Sequence, residues 1–297
     1  MTTWRDALLG LEADDVAQLD RALGLRLARE DLVRALIDPR GHLFQRLEYV
    51  GDSILDAVVV SELVRLEPWD EPSLALVNGE QQAMVSDHAL GRVAARRGLP
   101  RVRTFQASKH RLADRIEACI GAIWADRGLA DAASAAYDLV VRAALDGLPR
   151  LEEVPRAEPA ARYEAAARAL GHEPVDLAWF GAAAAGGPAR RRLAVVGDSV
   201  IEAAMSTAQY VEDPEATEAV MSEERRSATS NATLAARAHD LHLERRGDDR
   251  SDRRAMADEV QALVGAAAMD GGLRAGLLVA SGVLRRTFAP GPLAFEA

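Results

Sequence analysis

The sequence predicts an all-α protein built from two copies of one helical domain. Three observations lead there. Of the 297 residues 49% are apolar but only 4% aromatic, with alanine, leucine and arginine dominant and few β-branched or aromatic clusters; that composition favours helix over strand. Apolar residues recur at three- and four-residue spacing along most of the chain, as amphipathic helices require. Finally, two blocks occur twice in the same order. RLEYVGDSILDAVV at Arg46–Val59 returns as RLAVVGDSVIEAAM at Arg192–Met205, and LADRIEACIGAIWADRGL at Leu112–Leu129 returns as MADEVQALVGAAAMDGGL at Met256–Leu273. A repeat of about 145 residues is the size of a domain, not of a solenoid unit.

Taken in order, Leu19–Leu27 and Asp31–Ile37 carry helical apolar spacing, and Pro39-Arg40-Gly41 breaks the chain. Leu47–Leu66 reads as one long apolar helix ended by Pro68. Ser73–Arg97 reads as another, with Gly98 as its C-cap and Pro100 beyond. Leu112–Ala125 and Ala130–Leu145 follow, separated by Gly128. Leu148–Pro159 holds prolines and charges with little periodicity, so residues 1–148 and 160–297 are the expected domains, with 149–159 as linker. In the second half, helices are expected at Ala160–Leu170, Arg192–Tyr210, Pro214–Leu241 and Ala255–Met269, and a loop at Gly181–Pro188. VSDHALGRVAARRGL in the first half aligns with TSNATLAARAHDLHL in the second.

The single cysteine, Cys119, lies in an apolar helical run, which excludes an intrachain disulfide framework and a Cys-based zinc site. The N-terminal residues include early acids and no apolar core of a signal peptide. The longest uninterrupted apolar runs fall short of the ~18–20 residues of a membrane span. A cytoplasmic protein making no membrane contact is therefore expected. The net charge of −10 opposes general binding to nucleic acid, which needs Lys and Arg against phosphates. Carboxylates gathered for metal ions would account for part of that excess.

Such a gathering is visible. Glu48 and Asp52 stand four apart on one expected helix, and Asp114 and Glu117 three apart on another; each pair thus shares a helix face. Both pairs lie in apolar surroundings, where carboxylates are costly unless paired or metal-bound. Spacing alone favours solvated acids on helix edges, since acid pairs three or four apart are common. As a site, hard oxygen donors without His or Cys suit Mg2+ or Mn2+.

The context of these acids narrows the reading. LFQRLEYVGDSIL resembles the ribonuclease III signature, an Asn-Glu-Arg-Leu-Glu block leading into Gly-Asp-Ser. LADRIEACIGAIWADRGL resembles the family's second block, and LDRALGLRLAREDLVRALID its opening helices. The resemblance runs through both halves. It implies two ribonuclease III-like helical domains that pair within one chain as a pseudo-dimer. It also implies that Glu48, Asp52, Asp114 and Glu117 are the metal-binding catalytic carboxylates of an endoribonuclease acting on double-stranded or structured RNA, leaving 5′-phosphate and 3′-hydroxyl ends. Three positions depart from the family pattern: Gln45 replaces its first signature acid, Ile37-Asp38 its Thr-His pair, and Asp87 its later Asn.

In the second half, Ala194 stands where Glu48 does, Asp198 for Asp52, Asp258 for Asp114 and Gln261 for Glu117. Two of four charges are gone, so this copy is expected to keep the fold and lose the chemistry. Glu202 and Glu259 are the nearby acids, but Glu259 points about 100° away from Asp258 on a helix. No double-stranded-RNA-binding domain is recognisable, so RNA contacts are expected from Arg97, Arg101, Arg103, Lys109 and Arg111, just before Asp114. A homodimer is a further option, and a non-catalytic RNA-binding or scaffold protein is the alternative function.

Overall fold

The computed structural model describes residues 13–39, 41–66, 74–99, 109–145, 148, 160–243 and 252–291. Among these residues there is no strand, and the chain is all-α as its composition requires. The first half contains α1 (Ala13–Leu23), α2 (Glu30–Ile37), α3 (His42–Leu66), α4 (Leu74–Val85), α5 (Asp87–Arg97), α6 (Lys109–Arg127) and α7 (Leu129–Ala136). A π-helical turn, Tyr137–Val141, then runs into α8 (Arg142–Leu145). The second half contains α9 (Ala161–Ala169), α10 (Leu177–Ala185), α11 (Gly187–Glu212), α12 (Glu218–Ala228), α13 (Asn231–Asp240) and α14 (Arg253–Leu284).

Four expectations need correction. Residues 74–97 form two helices, because the Ser86 hydroxyl accepts from the Ala89 amide at 3.3 Å and starts α5 anew. Residues 214–241 divide in the same way: Thr217 caps α12 and Ser230 caps α13. Most of the loop expected at 181–188 is helical, since α10 continues to Ala185 and α11 already begins at Gly187 with a proline in its first turn. Residues 253–284 form one apolar element long enough to cross a membrane by length and composition. It bends at Gly272, whose φ of 74° suits a residue without Cβ. It is a core helix by burial: 61% of its most apolar window is inside the protein.

Compact packing groups the described residues of 1–55, 82–146 and 290–297 into one unit and those of 56–81 and 147–289 into another. In the first, α6 is the centre: Ile116, Ala118, Ile120, Ala122 and Ile123 are fully buried, and Trp124 and Cys119 are almost so. In the second, α11 and α14 are the centre, with Leu193, Val196, Val200, Ile201, Val260, Leu263 and Val264 fully buried. The linker assigned to 149–159 lies outside the described residues.

The two units repeat one clasp. In the first, Asp126 near the end of α6 accepts from the amides of Ala28 and Arg29, both at 2.9 Å. In the second, Asp270 accepts from Val175 and Asp176 at 2.9 and 2.7 Å. Each carboxylate thereby pins the turn that follows its unit's opening helix. Asp270 also meets His172 Nε2 at 2.7 Å.

Candidate metal centre and its altered second copy

The site of the first half rests on a helix crossing. A Cβ on Gly51 would lie 1.8 Å from the Glu117 carbonyl oxygen, and one on Gly121 2.0 Å from that of Leu47. Only glycine at both positions lets α3 and α6 approach this closely. Glu48 stands one turn before Gly51, and Glu117 one turn before Gly121, so the contact that demands glycine also brings their carboxylates together.

Glu48, Asp114 and Glu117 each offer a carboxylate oxygen within 4.8 Å of the other two, and all three are half-buried. Among the described residues this is the one group of three or more acidic, His or Cys side chains so placed. Asp52 is half-buried one turn along α3 from Glu48 but does not join the group. Three carboxylates converging from two helices form a hard, anionic donor set that fits a divalent cation. Buried Cys119 lies on the same helix, but burial pushes its thiol up to about 12, the Arg115 charge opposing this only in part; it is no thiolate ligand.

The second half keeps the crossing and changes the donors. A Cβ on Gly197 would lie 1.7 Å from the Gln261 carbonyl oxygen, and one on Gly265 1.9 Å from that of Leu193. Ala194, Asp198, Asp258 and Gln261 all line one cavity of about 460 Å3. Gln261 Nε2 donates to Asp198 Oδ1 at 2.7 Å, so a neutral amide holds the carboxylate that a cation would otherwise share. Burial and the neighbouring charges of Glu202 and Asp258 still push the Asp198 carboxyl up to about 6, the Gln261 bond offsetting part of this. Burial likewise raises Asp258, against the nearby charges of Arg254, Arg190 and Arg191.

Glu259 is turned elsewhere, as its helical angle requires. It is buried and accepts from the Tyr163 hydroxyl and the Arg190 guanidinium. Glu202 does line the cavity, together with Asp56, a residue not singled out in the sequence. Its signal was available: Asp56 lies four residues beyond Asp52, as Glu202 lies four beyond Asp198. Asn231 also lines the cavity, at the position where the first half carries Asp87.

Of the arginines expected to contact RNA, Arg97 is exposed and donates to the Asp138 carbonyl at 2.8 Å. With Arg127 and Arg142 it edges a separate cavity of about 400 Å3 whose lining includes none of the four carboxylates. Lys109 and Arg111 lie in the first turn of α6, and Arg101 and Arg103 fall outside the described residues.

A profile described as "Ribonuclease III domain" matches residues 45–128 and again residues 191–272. Ribonuclease 3 of Thermobifida fusca (strain YX) is 33% identical over 147 residues, covering 43% of this chain and 60% of that protein. Ribonuclease 3 of Chloroflexus aggregans is 32% identical over 169 residues, 47% of this chain and 72% of that protein. The chain thus spans between three-fifths and three-quarters of the length of these relatives. The crystal structure of Dicer from Giardia intestinalis matches with a TM-score of 0.63 over 84% of this chain and 55% of that one; at 14% identity the likeness is one of fold. Two matched segments in order, each holding a glycine-locked crossing at the same internal position, make the chain a tandem member of the ribonuclease III family.

Proposed function

We propose that the chain is an endoribonuclease that hydrolyses phosphodiester bonds in double-stranded or structured RNA at one site per chain. The observation that carries this is the convergence of Glu48, Asp114 and Glu117 within 4.8 Å at the crossing of α3 and α6. Glu48 and Asp52 from α3, with Asp114 and Glu117 from α6, are the residues that would hold Mg2+ or Mn2+. A divalent ion bound there supplies a Lewis acid for the phosphodiester and a water acidic enough to attack at neutral pH. The carboxylates fix its position through two helices that cannot slide apart without losing their glycine contact. No side-chain nucleophile is required, which fits products with 5′-phosphate and 3′-hydroxyl ends.

The second half contributes fold rather than chemistry in this reading. Ala194 and Gln261 remove two carboxylates, and the Gln261 amide occupies Asp198 Oδ1 by hydrogen bonding. The duplication supports a further part of the proposal: the second copy serves as a built-in pairing partner, so a single chain suffices.

The test is an end-labelled RNA duplex incubated with Mg2+ or Mn2+. Cleavage is expected from the wild-type chain, falling at least about a hundredfold in Glu117→Gln and Asp52→Ala. Cleavage that persists in both variants removes this site from the account. Tight duplex binding without cleavage under any divalent metal establishes instead the non-catalytic scaffold, the reading favoured by the net charge of −10.

A further inference from the structure

The substitutions that dismantle the second carboxylate site leave a pocket with a different chemical character. Ala194 opens room where the first half has a glutamate, and Gln261 puts an amide where it has an acid. The cavity of about 460 Å3 falls in the ~300–1,000 Å3 range of small-molecule sites. Its floor on α11 runs from Arg191 past Ala194 and Asp198 to Glu202, eleven residues or about 16 Å at the helical rise. That is long enough for a phosphate, a sugar and a base laid end to end.

The two ends differ in charge. At one, Arg191 and Arg254 bring guanidinium groups from α11 and α14 beside the single carboxylate of Asp258; two cations to one anion leave that end suited to phosphate oxygens. Farther along the lining, Asp56, already hydrogen-bonded by Gln81, keeps a second carboxylate oxygen, and Asn231 brings an amide; such groups accept from exocyclic amines and pair with base edges. Asp198 lies between them and suits a sugar hydroxyl. A metal ion fits poorly, because no three acidic, His or Cys side chains among the described residues of this half converge on one point. A continuous phosphate backbone fits poorly as well, since it would run past Asp198, Glu202 and Asp56.

We infer that this cavity binds a single ribonucleotide, its phosphate between Arg191 and Arg254 and its base against Asp56 and Asn231. The ligand is either a free nucleotide or an unpaired nucleotide of an RNA chain. Binding here needs neither metal nor Glu48, Asp52, Asp114 and Glu117, so it stands apart from the cleavage reaction.

Calorimetric titration of the full chain in EDTA tests this, with adenosine 5′-monophosphate, adenosine and a single-stranded hexaribonucleotide as probes. One adenosine 5′-monophosphate per chain is expected, with adenosine at least tenfold weaker. Arg254→Ala and Arg191→Ala, both exposed positions, should each weaken the monophosphate at least tenfold and leave adenosine unchanged, while Glu117→Gln changes nothing. A hexanucleotide that binds tighter than the monophosphate, and still depends on Arg254, identifies the ligand as part of an RNA; the reverse order identifies a free nucleotide. The inference is overturned by absence of saturable binding of all three probes up to millimolar concentration. Monophosphate affinity that survives both arginine variants overturns it equally, as does affinity lost in Glu117→Gln.

Discussion

Single residues decide how closely the helices can meet. Gly51 shows this most directly, because its missing Cβ is replaced in space by the Glu117 carbonyl oxygen 1.8 Å away. That neighbour is backbone and cannot rotate aside, so α3 and α6 must separate to admit even one methyl group. Gly51→Ala is expected to cost about 3 kcal/mol or more in chemical denaturation and to lower divalent-metal affinity with it, since Glu48 and Glu117 would move apart. Gly79 in α4 has open space around its Cβ position; Gly79→Ala should stabilise by about 0.5–1 kcal/mol. If both variants lose equal stability, the close approach is not what Gly51 is needed for. Asp198 offers a pH-dependent counterpart. Its carboxyl is raised to about 6, so the folded chain holds that proton more strongly than the unfolded one. Stability therefore falls as pH rises from about 4 through 6, and the full penalty is present above 6. Asp198→Asn should raise Tm at pH 7.5 by roughly 2–4 °C, discounted for the exposure of the residue, and have little effect at pH 4.5. A gain of the same size at both pH values would assign the effect to packing instead of charge.

At the scale of elements, the duplicated clasp ties each unit's long central helix to the turn after its opening helix. Asp126 and Asp270 each accept two backbone amides, and removing the acceptor gives up two charge-assisted hydrogen bonds, for which water only partly compensates. Asp270→Ala should therefore cost about 2–4 kcal/mol, read by denaturation, and amide exchange should quicken first at Val175 and Asp176. Uniform loss of protection across the second unit would contradict a local role. Such elements also show what was legible in the sequence. Helix existence followed from apolar spacing, and the repeated blocks marked the helices that carry the acids of each half. Boundaries failed where a side chain competes with the helix: Ser86, Thr217 and Ser230 each interrupt a continuous apolar pattern by capping the next segment. The Gly181–Pro188 stretch misled for the opposite reason, since alanines packed in a core continue a helix that glycine and proline seem to end. Of the candidate site, spacing put each acid pair on one helix face, and only the resemblance of the surrounding blocks singled the pairs out. The cavity of the second half was not, because Asp56, Gln81 and Asn231 converge on it from segments distant in sequence.

For the whole molecule, the central asymmetry is one intact acid set and one altered set held on matching crossings. Because Gly197 and Gly265 preserve the backbone approach of α11 and α14, the second half lacks donors rather than the frame for them. Restoring the donors should then restore the site. The double substitution Ala194→Glu with Gln261→Glu recreates the full set with Asp198 and Asp258, and it replaces the Gln261–Asp198 hydrogen bond with a repulsion that only a cation relieves. Without metal, the double variant is expected to be less stable than wild type; Mn2+ should recover that loss, and the number of bound ions should rise by titration. Cleavage gives the second readout. On a duplex labelled on both strands, the wild-type chain should cut one strand per encounter at low enzyme concentration, and the double variant both. If the variant gains no metal and cuts no second strand while remaining folded, then the frame has diverged along with its donors. If wild type already cuts both strands as a strict monomer, the single-site reading fails at the level of the chain, whatever the altered cavity binds.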